Sequence, residues 1–168
     1  MISDLLYKIA AYKKIKNFNT DECIDWALEL IGNCIETSNL LILASLSKPT
    51  NHFETVPYLE SALRELNIEP FQDENAIISY CYYYIKQIAE SKTIKENLKL
   101  VCQFCIDNDY EKNVYDFYLL NWAWEDFDYG ETYTDYWSTA TKDNIESTVV
   151  TIAKDWITKY FEKIKIEI

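Results

Sequence analysis

Only two glycines, Gly32 and Gly130, stand in this chain of 168 residues, and only three prolines accompany them. Tight hairpins and phosphate-cradling loops need backbone at positive φ, which glycine adopts without strain and other residues resist. Helix interiors, by contrast, are strongest where glycine and proline are scarce. The chain is therefore expected to be all-α. With 49% hydrophobic residues it can fill a packed interior. Its length suits one sizeable core, so residues 1–168 are expected to form a single all-helical domain.

Apolar spacing locates the helices. Leu5, Leu6, Ile9, Tyr12 and Ile15 recur at three- and four-residue intervals, predicting a helix over 2–16. Thr20 is placed to cap a second helix with Ile24, Ala27, Leu28 and Ile31 inward. The run SNLLILASL, residues 38–46, fits a short helix or a strand on periodicity alone, and the absence of a nearby strand-like partner favours helix. Residues 47–57 read as a loop because Pro49 and Pro57 interrupt them, with Thr55 capping the helix of Leu59, Ala62, Leu63 and Leu66.

A long helix is expected from Asp73 to Ser91. Thr93 and Glu96 have capping-box spacing for another helix, reaching Asp107 with Leu98, Val101, Cys102 and Cys105 inward. Residues 112–125 are apolar nearly all round, which predicts a central helix. Thr141 caps the last helix, with Ile145, Val149, Ile152, Trp156 and Tyr160 on one face, and the tail KIKIEI frays or extends it. Seven to eight antiparallel helices in an irregular bundle or short α-α superhelix follow from this pattern.

Charge and chemistry narrow the function. The net charge of −12 disfavours nucleic acid and anionic membrane and favours a basic protein partner. Residues 101–168 carry fourteen acidic and six basic side chains, so the imbalance is greatest there. No apolar run approaches the roughly 20 residues that span a bilayer, and the N-terminus lacks the order of a signal peptide, which makes the cytoplasm the expected location. The five cysteines lie in otherwise helical patterns and are expected to be small buried hydrophobes.

Phosphate loops, dinucleotide fingerprints and nucleophile elbows require glycines this chain lacks. Cys102 and Cys105, mid-helix among apolar residues, suit core packing better than zinc or redox chemistry. His52 is the single histidine, so any histidine acid–base chemistry runs through it, and a local hydrogen bond is its plainer role. No catalytic residue, metal set or cofactor is called for.

One segment differs in kind. WAWEDFDYGETYTDYW, residues 122–137, holds five carboxylates, seven aromatics and no basic residue. Carboxylates so close repel, which costs stability unless amides, a cation or a partner compensates. Three readings compete. The aromatics form a buried lid while the acids cap helices; the segment is a recognition surface; or it is a calcium loop. The last is opposed because Gly130 comes one position too early for an EF-hand and Trp137 stands where its closing glutamate belongs. The recognition reading assigns Asp126, Asp128, Glu131 and Asp135 to steering charge and Tyr129, Tyr133 and Trp137 to anchoring, with Glu125 also among the partner-binding residues.

LILASLSKPTNHFETVPYL together with YLLNWAWEDFDYG resembles stretches in small, uncharacterised helical proteins of bacteria. The acidic, compact, glycine-poor character is also similar to that of the all-α immunity proteins of bacterial toxin systems. The resemblance implies a non-enzymatic protein that binds and neutralises a toxin, often a basic nuclease. The alternative expectation is a helical scaffold or adaptor that binds in a groove between helices, bordered by residues 47–57. A pocket enzyme using carboxylates with His52 is the weakest of the three.

Overall fold

The computed structural model describes residues 3–166. Among them the chain is all-α, with eight α-helices, one 3₁₀ turn and no strand. It divides into two compact units, Met1–Tyr80 with Lys163–Ile168, and Cys81–Glu162. No helix of the described residues is long and apolar enough to cross a membrane.

The first unit holds α1 (Leu5–Ile9), α2 (Asp21–Gly32), α3 (Ser38–Ser45), α4 (His52–Glu65) and the start of α5 (Asp73–Ala89). Its core joins Leu6, Ile9, Trp26, Leu40, Leu43, Leu59 and Leu63, all nearly without solvent contact. Lys8 is equally buried because its ammonium donates to Glu22 Oε1 at 2.6 Å. Asp21 accepts from both the amide and the hydroxyl of Thr50 at 2.7 Å, which ties the approach to α4 onto α2. Those bonds hold the Asp21 carboxyl below its ordinary pKa.

Several expectations for this half need correction. The first helix ends at Ile9, short of residue 16, and position 2 of the expected span lies outside the described residues. The Ala10 carbonyl accepts from the Phe71 amide at 2.8 Å, and the chain beyond it turns by three-residue bonds such as Lys14 to Ala11. Thr20 precedes α2 as expected but does not cap it; its hydroxyl pairs with that of Thr50, and Asn19 accepts from the Asp21 amide. In α2 the buried side chains include Cys23 and Trp26, whereas Leu28 faces outward.

The helix expected to start after a Thr55 cap begins four residues sooner, at His52, capped by Asn51 through the Phe53 amide at 2.9 Å. Thr55 is therefore helical and buried, donating to the Asn51 carbonyl. Pro57 sits in the second turn, where its missing N–H forfeits only the bond to the carbonyl of exposed Phe53.

The second unit comprises the rest of α5, α6 (Ile94–Asp107), the 3₁₀ turn Lys112–Val114, α7 (Tyr115–Asp128) and most of α8 (Ile145–Ile164). Phe117 meets Trp156 edge-on, and the Trp156 indole donates to the Asn113 carbonyl at 2.7 Å, anchoring α8 beneath the start of α7. Leu98, Val101, Cys102 and Cys105 are buried as their spacing predicts. The Thr93–Glu96 capping box does not form, because Thr93 is itself left-handed and its hydroxyl accepts from the Asn97 side chain. Thr141 and Asn144 exchange side-chain-to-amide bonds just before α8, so Thr141 serves as expected. The tail is helical to Ile164, and its last two residues lie outside the described residues.

Left-handed backbone is not left to glycine. Asn17, Cys34, Asn67, Asp73, Ser91, Thr93, Asp109 and Tyr110 all hold positive φ. Cys34, Asn67 and Ser91 close α2, α4 and α5 in Schellman motifs, with bonds from Ile35 to Leu30, Ile68 to Leu63 and Lys92 to Gln87. That position also leaves Cys34 exposed, unlike the other four free cysteines.

Candidate functional site

Helix α7 is not surrounded by core as its composition suggested. Phe117, Leu120, Asn121, Ala123 and Phe127 are buried, while Tyr115 and Trp122 lie at the surface. The helix runs through Asp128, so the first half of the acid-rich segment is helical. It stops in a fourth Schellman motif, in which the Glu131 amide donates to the Asp126 carbonyl at 3.0 Å and Gly130 takes φ +97°.

The helical period sends neighbouring acids to different partners. Glu125 pairs with Lys99 at 3.1 Å, and Asp128 pairs with Lys95, both lysines coming from α6. The Glu125 carboxylate in turn raises the Lys99 pKa. Lys95 also lies over the Trp124 ring, 5.5 Å from its centroid. Asp126 accepts from the hydroxyl of buried Thr134 at 2.7 Å, and the same hydroxyl oxygen accepts from the Tyr136 amide at 3.2 Å. Thus two cations and a hydroxyl relieve the repulsion that five close carboxylates would generate. Asp126 and Asp128 do not open a chelating loop, and no group of three or more His, Cys, Asp or Glu among the described residues could hold a metal ion.

What remains open is the loop itself. Tyr129 is 84% and Tyr133 68% exposed, and Glu131 and Asp135 are exposed beside them. Trp137 is half-buried, less open than an anchor needs. Asp126, Glu131, Tyr133, Thr134, Asp135 and Tyr136 line an open depression of about 400 Å³. Of the eight residues singled out from sequence, Tyr129, Glu131, Tyr133 and Asp135 are exposed on the loop and the last three line the depression, while Glu125, Asp126 and Asp128 are engaged by Lys99, Thr134 and Lys95.

Comparison with protein-family models, with curated proteins and with solved structures finds no match. The site must be interpreted from its own chemistry.

A strip of aromatics that the sequence reading assigned to the core or passed over continues from this loop. Tyr118 stacks on Tyr115 at 5.3 Å and meets Tyr110 edge-on at 5.4 Å. Trp122 meets Tyr118 and Tyr136, each at 6.4 Å between ring centroids. Burial, followed by the neighbouring phenols, pushes the Tyr118 hydroxyl above its ordinary pKa. The signal available in sequence was the spacing of 115, 118 and 122, which places three rings on one helical face.

Elsewhere the candidate features are weaker. His52 opens α4 in an exposed position with its ring edge-on to Phe53 at 6.0 Å. A depression of about 230 Å³ in the first unit is lined by Tyr12, Lys13, Glu60, Arg64 and Glu69 among others, and is not bordered by residues 47–57. Its charges are balanced, and the Tyr12 hydroxyl is already committed to Glu60 at 2.7 Å.

Proposed function

We propose that this chain is a non-enzymatic binding domain that captures a basic protein through the loop bearing Tyr129, Glu131, Tyr133 and Asp135. The observation that carries the reading is the joint exposure of two tyrosines and two carboxylates on a loop whose base is fastened by other residues. Tyrosine supplies a large rigid contact at small entropic cost, and carboxylates speed the approach of a basic partner. An immunity protein that neutralises a basic toxin is the form of this reading supported by the chain's acidic, glycine-poor, helical character.

The test compares wild-type chain with Glu131→Gln/Asp135→Asn and with Tyr129→Ala/Tyr133→Ala in capture from lysate of the source cells. Asp126 and Asp128 are left intact because they hold the loop and α6. A basic protein retained by wild type and lost from both variants supports the reading. The charge variant should also associate with that protein more slowly and with a flatter salt dependence. Equal capture by all three chains, or none at low salt, overturns it.

A further inference from the structure

We propose that the surface recognises arginine in particular, with guanidinium groups of the partner stacking along the strip of Tyr110, Tyr115, Tyr118, Trp122 and Tyr136; this rests on the basic-partner reading and adds a specificity to it. The strip is accessible, with Tyr110 54%, Tyr115 39%, Trp122 38% and Tyr136 41% exposed. Its rings are linked at centroid distances of 5.3–6.4 Å, a near-continuous aromatic track from the α6–α7 turn to the acid loop.

Charge identifies the occupant. Between Tyr110 and Tyr136 the chain carries seven carboxylates and a single cation, Lys112, and no lysine or arginine follows until Lys142. An aromatic track in a segment so dominated by carboxylates suits a cation that is also flat. Arginine meets both conditions, since its planar guanidinium stacks on rings and is weakly hydrated, whereas the compact lysine ammonium holds its water.

The turn that presents Tyr110 supports a role for that ring. Asp109 and Tyr110 are consecutive residues at φ 55° and 59°, backbone that glycine would adopt without strain. A tyrosine held there brings its ring to Tyr118.

The experiment uses the full chain and two labelled peptides of equal length and charge, one alternating glycine with arginine and one alternating glycine with lysine, read by fluorescence anisotropy at physiological ionic strength. Wild type should bind the arginine peptide about fivefold more tightly, the scale of an added exposed cation–π contact. Tyr110→Gly suits the local backbone, and Trp122→Ala lies on an outward helical face, so folding is checked by circular dichroism and is expected to hold. Together they should abolish the preference while changing lysine-peptide binding little.

Glu131→Gln/Asp135→Asn should weaken both peptides alike and leave the preference intact. Equal affinity for the two peptides in wild type overturns the arginine proposal while leaving the basic-partner reading to stand on its capture test. A preference that survives loss of both rings overturns it as well. A concentration-dependent dimer, abolished by the same two substitutions, would show a second copy on the strip and would also overturn it.

Discussion

Gly130→Ala and Ser91→Gly should shift stability in opposite directions for one reason. Both residues occupy the left-handed position of a Schellman motif, at φ +97° after α7 and +58° after α5. A Cβ added to Gly130 meets nothing within 4 Å, so the cost of alanine there is conformational and not steric crowding by neighbours. Left-handed backbone costs an L-residue about 1–2 kcal/mol. The narrower unfolded ensemble of alanine returns about 0.4–1 kcal/mol of that. The net loss for Gly130→Ala is thus about 1 kcal/mol, and the same terms with reversed sign give Ser91→Gly a gain of roughly 0.5–1 kcal/mol. For a chain of this size a change of ~1 kcal/mol moves Tm by roughly 2–4 °C. Guanidinium unfolding followed by both tryptophan fluorescence and circular dichroism reads the shifts in midpoint at constant slope. A neutral Gly130→Ala combined with a destabilised Ser91→Gly would refute the conformational account.

The buried Lys8–Glu22 pair gives a second expectation. Lys8→Met should cost roughly 2 kcal/mol in a denaturant titration, below the ~3–5 of a fully enclosed pair because Glu22 keeps some solvent. Glu22 Oε2 is buried with no hydrogen-bond partner, so adding Glu22→Gln to Lys8→Met should recover part of the loss. Asp126→Ala removes the acceptor of the buried Thr134 hydroxyl and should lower stability by about 1 kcal/mol while accelerating amide exchange across residues 131–136. In the native protein at about pH 8, a thiol reagent should label Cys34 rapidly and the four buried cysteines only on unfolding. Burial raises Cys102 and Cys105 from the ordinary 9.0 to about 11, so the fold favours their neutral form. The stability this provides is complete below pH 9.0 and is lost as pH rises toward 11, and a Cys102→Ala/Cys105→Ala variant should lose less over that interval.

Helix existence was legible because it rests on a repeated pattern, as in α5, α6 and α8, where many apolar positions agree. Helix ends were not, because each depends on a few hydrogen bonds that distant residues can redirect. Ser79 donates to the carbonyl of Tyr7, the Ala11 amide turns to Lys8 instead, and α1 stops among residues whose spacing still reads as helix. Thr50 engages the hydroxyl of Thr20 and leaves capping to Asn19. Glycine scarcity correctly pointed away from sheets, yet left-handed turns do not depend on glycine here. Asparagine, aspartate, serine and even cysteine and tyrosine supply them where a helix must end and packing holds the chain in place.

The candidate site shows what a count of charges omits. Five carboxylates within residues 122–137 read as one acidic surface, but a helix turns by about 100° per residue, so charges adjacent in sequence leave in different directions. Glu125 and Asp128, three apart on α7, meet Lys99 and Lys95, four apart on α6, and that matched spacing could have been recognised as a helix-to-helix ion pattern. Subtracting the acids so engaged leaves Glu131 and Asp135 to steer a partner. Affinity must then come mainly from rings, and Tyr133 lines one depression with Tyr136, the end of a strip of further rings that helical spacing gathers on the outer face of α7. The long-range attraction of a basic partner and the short-range choice among its side chains therefore fall to different residues, which is why charge variants and ring variants should separate association rate from arginine preference.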